Sequence, residues 1–335
     1  MEDAANMENV TPKRREFISK PLFNQSFKSL RVLWLVLTAG AALIFIIINL
    51  AIGSKNIFTN IDIGSVNQYI KDENLSWLTV LGLLENMGFS LSRIQAMSQM
   101  DLNSILAELI YKIAGVLLPM IYVIIASNKL VVSQVSDGSM AYVLSTPTNR
   151  KTVVRTQYVF LILSITVMYA IITVSALASE GISTLIVMHK GNNVRWIPVR
   201  TLLFCFGSFV AMFGIGGICF GASCFFNKSN QAIAVGGGIC VLSFICCIMG
   251  LFGNPAFVAV GIGVKSMYYF NYLSLFYLID TSSMSSFCNA IFIPKEYDLT
   301  VQCFEWIWEL AILIVIGAVF AFIGGRRFVK KDLPL

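Results

Sequence analysis

The chain has 335 residues, 57% of them hydrophobic and 13% charged, with a formal net charge of +6. Soluble domains carry about a quarter charged residues. With a mean hydropathy of +0.77, the composition excludes an ordinary aqueous globule and points to lipid as the solvent. Anionic head groups suffice to balance the basic excess, so no nucleic acid partner is called for.

Residues 1–31 read as a polar tail followed by an interfacial helix. Phe17–Arg31 mixes Phe17, Ile18, Leu22, Phe23 and Phe27 with Lys20, Lys28 and Arg31, a composition suited to a short helix lying in the membrane surface. Residues 32–325 then form the membrane domain. A helical span needs about 20 apolar residues, and the uncharged runs Val32–Ile52, Tyr158–Ala178, Thr201–Phe226 and Gln231–Gly253 meet that need. Ile105–Ser127 and Cys303–Gly325 are also long enough, although the first contains Glu108 and Lys112 and the second Glu305 and Glu309. The expectation is an all-α polytopic membrane protein with six spans, closed by a basic tail at 326–335.

Lys and Arg concentrate in the N-terminal tail, the loop at 128–157, the turn at 227–230 and the C-terminal tail. The positive-inside bias therefore places both termini in the cytoplasm. A seventh span at 257–279 would carry Lys265 and put the basic C-terminal tail outside, so that stretch reads as a re-entrant or surface-lying segment after the Asn254-Pro255 break. Residues 54–104, with apolar clusters such as Trp77–Leu81, read as surface helices over the mouth of the bundle.

Catalytic signatures are absent. There is no G-x-x-x-x-G-K-[ST] phosphate loop and no H-E-x-x-H, no G-x-S-x-G, and a single histidine, His189. The chain is read as neither an enzyme nor a binder of cofactor or metal. Six of its eight cysteines fall inside spans as small packing residues, while Cys288 and Cys303 flank the last external segment and form a possible pair. Gly217 and Gly221 have the small-x-x-x-small spacing that lets helix backbones approach. Glu108 and Lys112, and likewise Glu305 and Glu309, stand four residues apart, the spacing of one helix face. Hydration at head-group depth is the plain reading of all four; a translocation path for a cationic or amphipathic substrate is the sharper one.

The loop before the third span is the most unusual stretch. Asp137 is placed to cap a short helix over Gly138–Leu144, with Met140, Val143 and Leu144 toward the membrane or a partner. Pro147 disfavours helix at Thr146, making Ser145–Asn149 a turn. Arg150, Lys151 and Arg155 then lead back into the membrane. By physics alone, a lipid-surface helix and a docking element fit this pattern equally well.

Resemblance adds to that reading. Asn128-Lys129-Leu130, the run Gly138-Ser139-Met140-Ala141-Tyr142-Val143-Leu144-Ser145-Thr146-Pro147 and Arg150 are similar to the cytoplasmic loop of bacterial ABC-2 type transporter permeases. Gly217–Asn227 and the ending Phe328–Leu335 agree with that resemblance. It implies that the segment between spans two and three is a coupling helix docking on a separate ATPase subunit, which would hold the ATP and Mg. The implied coupling residues are Gln134, Ser136, Asp137, Gly138, Ser139, Met140, Tyr142, Leu144, Ser145, Thr146, Pro147 and Arg150. Such permeases commonly carry a glutamate where Gln134 stands here. The resemblance further implies a homodimer or a pair with a sister permease in the bacterial cell membrane. Export of a peptide, lipid-like or hydrophobic compound is the expected activity. The alternative is a membrane sensor that binds a ligand at 54–104 and recruits a signalling partner; an ATPase reading frame beside the gene would discriminate the two.

Overall fold

The computed structural model describes residues 18–53, 102–140, 149–189, 197–253, 263–292 and 300–331, with Val258 and Pro294 besides. Every regular element among the described residues is helical. In chain order these are α1 (Lys20–Gly53), α2 (Leu102–Leu130), α3 (Val132–Ser136), α4 (Arg150–His189), α5 (Pro198–Phe225), α6 (Ser229–Ala232), α7 (Gly238–Leu251), α8 (Thr281–Phe292) and α9 (Glu305–Lys330). A π-helical turn, Ile233–Gly237, joins α6 to α7, so the two run as one rod. Six stretches are long and apolar enough to cross a membrane: α1, α2 with α3, α4, α5, α6 with α7, and α9.

The helices outlast their apolar runs. α1 has 34 residues and α4 has 40, or about 51 and 60 Å at 1.5 Å per residue, against a hydrocarbon core of about 30 Å. Residues 20–31 are therefore not a separate surface helix. They are the first turns of α1 and pack on the start of α4. Phe23 meets Phe160 edge-on at 5.2 Å, the Ser26 hydroxyl donates to Gln157 Oε1 at 2.8 Å, and the Ser19 amide donates to Thr156 Oγ1 at 3.0 Å. Further along, Trp34 Nε1 donates to the Ser164 carbonyl and Asn49 Nδ2 to Ser179 Oγ, at 3.0 and 2.9 Å. Polar bonds between helices are favoured in lipid because no water competes for the groups.

These contacts fix which ends of the helices lie together. Ser19 meets Thr156, and the Arg150 guanidinium meets the Lys331 carbonyl. The start of α1, the start of α4 and the end of α9 thus share one face, here called the terminal face.

α5 and α9 cross with their backbones nearly touching. A Cβ built on Gly217 would overlap the Gly317 carbonyl, and one on Gly221 would sit 2.7 Å from the Phe320 oxygen. From the other side, a Cβ on Gly317 would be 2.7 Å from the Gly214 Cα, and one on Gly324 would be 2.6 Å from the Gly221 Cα. Small residues at such a seam let dispersion contacts replace the hydrophobic drive that lipid cannot supply.

Past α7 the chain builds no seventh crossing helix among the described residues. Residues 265–278 form two short 3-10 segments, Lys265–Leu273 and Leu275–Leu278, that run back along α7. Asn271 Nδ2 donates to the Gly250 carbonyl at 3.4 Å, and Ser274 Oγ donates to the Ser243 carbonyl at 2.8 Å. Asp280 then starts α8 by accepting from the Ser283 amide at 3.2 Å, the bond that an N-cap residue makes. Of the expected surface helices at 54–104, residues 54–101 lie outside the described residues, and 102–104 open α2.

Candidate functional site

The polar loop begins where α2 ends. Leu130, Val131, Val132 and Val135 are buried and hold the five-residue α3 against the bundle. Its end is a glycine-type stop. The Gly138 amide donates to the Val135 carbonyl at 3.2 Å, and Gly138 takes the left-handed conformation, with φ 72°. This is one bond of a Schellman stop. Ser139 reaches the Gln134 carbonyl with its hydroxyl at 3.2 Å, and Ser139 and Met140 are again helical.

Asp137 therefore works differently from the expectation. It is the closing residue of α3 and not the cap of a helix beginning at Gly138. Its amide donates to the Ser133 carbonyl at 2.9 Å, and its carboxylate oxygens accept from the hydroxyls of Ser133 and Ser136, at 3.0 and 3.3 Å. Gly138 is the reversal point between two helical stretches. Ser136, Asp137, Gly138 and Ser139 are exposed, whereas Met140 is 2% exposed and packs into the core instead of facing outward. Gln134 is half-buried, and its Oε1 has no hydrogen-bond partner among the described residues. Tyr142, Leu144, Ser145, Thr146 and Pro147 lie outside the described residues.

Arg150 opens α4 and ties the loop to two other helices. Its Nη1 donates to the Lys331 carbonyl at 2.7 Å, and Lys331 Nζ donates to the Phe225 carbonyl at 2.6 Å. Phe225 ends α5, and the Arg327 guanidinium lies 4.9 Å from its ring centroid. The lysine bond caps the negative end of the α5 dipole, where a cation is favoured. Partial burial lowers the pKa of Lys331, as does neighbouring Arg327, with Cys224 acting the other way. A displacement of the loop's downstream end thus reaches α4, α9 and α5 through two hydrogen bonds. Upstream, Asn128 Nδ2 donates to Ser229 Oγ at 2.6 Å and links α2 to α6.

Glu108 and Lys112 lie one turn apart on the α2 backbone. Glu305 and Glu309 occupy the first two turns of α9; Glu305 is exposed, Glu309 half-buried and Trp308 76% exposed. Trp306 instead packs edge-on to Phe287 at 5.7 Å.

A carboxylate that the sequence pattern does not single out is better placed between helices. Glu180 of α4 accepts from the Thr201 hydroxyl of α5, and its Oε1 lies 4.0 Å from Arg200 Nη2. Its only sequence signal is the abrupt end of the uncharged run at Ala178, two residues earlier. Cys288 and Cys303 are both buried free thiols.

The family model described as ABC-2 family transporter protein matches residues 27–333. Neither a curated protein nor a solved structure matches the chain. The family match takes in the first crossing stretch from residue 27 onward, the other five whole, and the polar loop between α2 and α4. The chain belongs to the ABC-2 family of transporter proteins, as a multi-pass membrane permease.

Proposed function

We propose that this permease is energised in trans, by an ATPase subunit that holds ATP and Mg and docks on the exposed residues 136–139 and on residues 145–149. The observation carrying this reading is the bond chain from Arg150 through Lys331 to Phe225. It gives a push on the loop a route into three membrane-crossing helices, and so a means of biasing two states by differential contact. Both termini lie in the cytoplasm in this reading, and two permease chains, identical or sister, enclose the path in a bacterial cell membrane. The substrate class that suits an apolar, aromatic bundle is a peptide, lipid-like or hydrophobic compound, moved outward.

Affinity purification of the tagged chain from its native membrane, with mass spectrometry of the co-eluting proteins, tests the docking. A phosphate-loop ATPase is expected with the wild type. Its recovery should fall in the Pro147→Ala, Arg150→Ala double variant. Absence of any ATPase, or equal recovery with both proteins, would overturn the docking.

A further inference from the structure

The fifth crossing rod carries the one π-helical turn among the described residues, Ile233–Gly237, between α6 and α7. Such a turn bonds each amide five residues back instead of four, and single turns of this kind recur at functional sites. It is wider than an α turn by about one residue, so the rod holds a residue that a continuous α-helix would not need. The dihedrals are nevertheless ordinary. Ile233 has φ −65° and ψ −43°, and Gly237 has φ −68° and ψ −39°, against about −63° and −42° for an α-helix. The turn can therefore exchange π for α bonding without either residue leaving the helical region.

The two sides of the turn are held unequally. Ser243 fixes α7 to the 3-10 segments, accepting from the Ser274 hydroxyl with its carbonyl at 2.8 Å and from the Leu275 amide with its hydroxyl at 2.7 Å. Phe244 packs edge-on to buried Phe276 at 5.8 Å. By contrast, α6 is a single turn of four residues in which Ala232 is the buried one. Asn128 Nδ2 ties it to the end of α2 through Ser229 Oγ.

Glycines stand where the rod would have to give. Gly236 lies on α5: a Cβ there would be 3.3 Å from the Cys219 Cα and 3.1 Å from the Ala222 Cβ. The Cys219 thiol donates across this contact to the Gly236 carbonyl at 3.7 Å, and thiols are weak donors. Gly238 is different. A Cβ there meets nothing within 4 Å, and its φ is −60°, so neither packing nor backbone conformation in this state asks for glycine. Glycine at an open helical position loosens the helix, which a rod of fixed register has no use for.

We propose that Ile233–Gly237 is a register switch in the fifth crossing rod. When π bonding gives way to α, the spare residue shifts α6 against α7 by about 1.5 Å along the rod and about 100° around it. That shift parts Ser229 from Asn128 and frees the end of α2, where the polar loop begins. The switch is a property of the permease alone, so it does not depend on an ATPase docking at that loop.

The test uses the full chain in lipid nanodiscs, with nitroxide-bearing unnatural residues in place of exposed Lys28 on α1 and exposed Gln231 on α6. Double electron–electron resonance should resolve two distance populations several ångströms apart. Deleting Val235, an exposed residue of the turn, removes the spare residue and leaves a continuous α rod with both ends as they stand. That variant should fold and lose the second population. Val241 is similarly exposed but lies in regular α7. Its deletion turns the ends of the rod about 100° apart and should abolish the monodisperse peak on size exclusion. A single population in the wild type, both populations persisting without Val235, or equal tolerance of the two deletions would overturn the switch.

Discussion

Replacing Gly217 by valine is expected to separate α5 from α9 and lose the folded permease. Even a Cβ at this position would overlap the Gly317 carbonyl, and the obstacle is backbone on both sides, with no side chain free to swing away. Overpacking a core costs about 1–3 kcal/mol and occasionally more. This site belongs at or above the upper end, because relief requires parting two helices along a seam that continues at Gly221 and Gly324. Gly238 provides the control. A Cβ there meets nothing within 4 Å, so Gly238→Ala should be neutral or should stabilise by about 0.5–1 kcal/mol through better helix propensity. Thermal unfolding in detergent, followed by loss of the monodisperse peak on size exclusion, checks both. A Gly217→Val protein as stable as wild type would show that the two helices do not meet along this seam.

Gly138→Val is expected to leave the membrane bundle intact and impair energisation. The position has open space around it, so bulk is not the obstacle. The backbone is, because φ of 72° costs a residue with a side chain about 1–2 kcal/mol. Relaxing that strain would rotate Ser139 and Met140 relative to α3, and would break the Gly138 amide bond to Val135. At about 1.4 kcal/mol per factor of ten, coupled ATP hydrolysis by the reconstituted complex should fall several-fold to tenfold. Gly138→Asn, which tolerates the left-handed region, should retain most of it. Equal activity of the Val and Asn variants would remove the backbone conformation from the mechanism.

The spans are legible in the sequence because lipid imposes a length of apolar residues that few other structures need. The ends of the helices are not. Hydropathy marks where lipid is, while a helix continues as long as its backbone bonds are made. This is why α1 begins at Lys20 and α4 runs on to His189, both well past their uncharged runs. Glu180 is hidden for the same reason: it lies beyond the apolar run yet inside the helix.

In the loop, the residue types point to the right kind of structure with the wrong assignment. Asp suits the start of a helix, but Asp137 has Ser133 and Ser136 within reach on the preceding turn, and its carboxylate bonds to them. Gly138 marks a helix boundary correctly, as the end of α3. Met140 sits one residue past an exposed run, and only the fold determines that it turns inward. Lys331 reads in the sequence as one charge of a basic tail, but its partners are the carbonyl of Phe225 and, on its own carbonyl, the Arg150 side chain. Backbone acceptors leave no mark in a sequence. The packing of Tyr268 and Tyr272 on Tyr277 is hidden for a related reason, since these rings lie on two separate segments that Ser243 and Phe244 hold against α7.

The most direct measurement of the central claim is site-specific photocrosslinking in native membranes. One photoreactive residue would replace exposed Ser139 on the loop, and another would replace Tyr269, 72% exposed at the far end of the bundle. Capture of a phosphate-loop ATPase from position 139 and not from position 269 is the predicted result. Capture from neither position, or from position 269 alone, would contradict a permease driven through this loop.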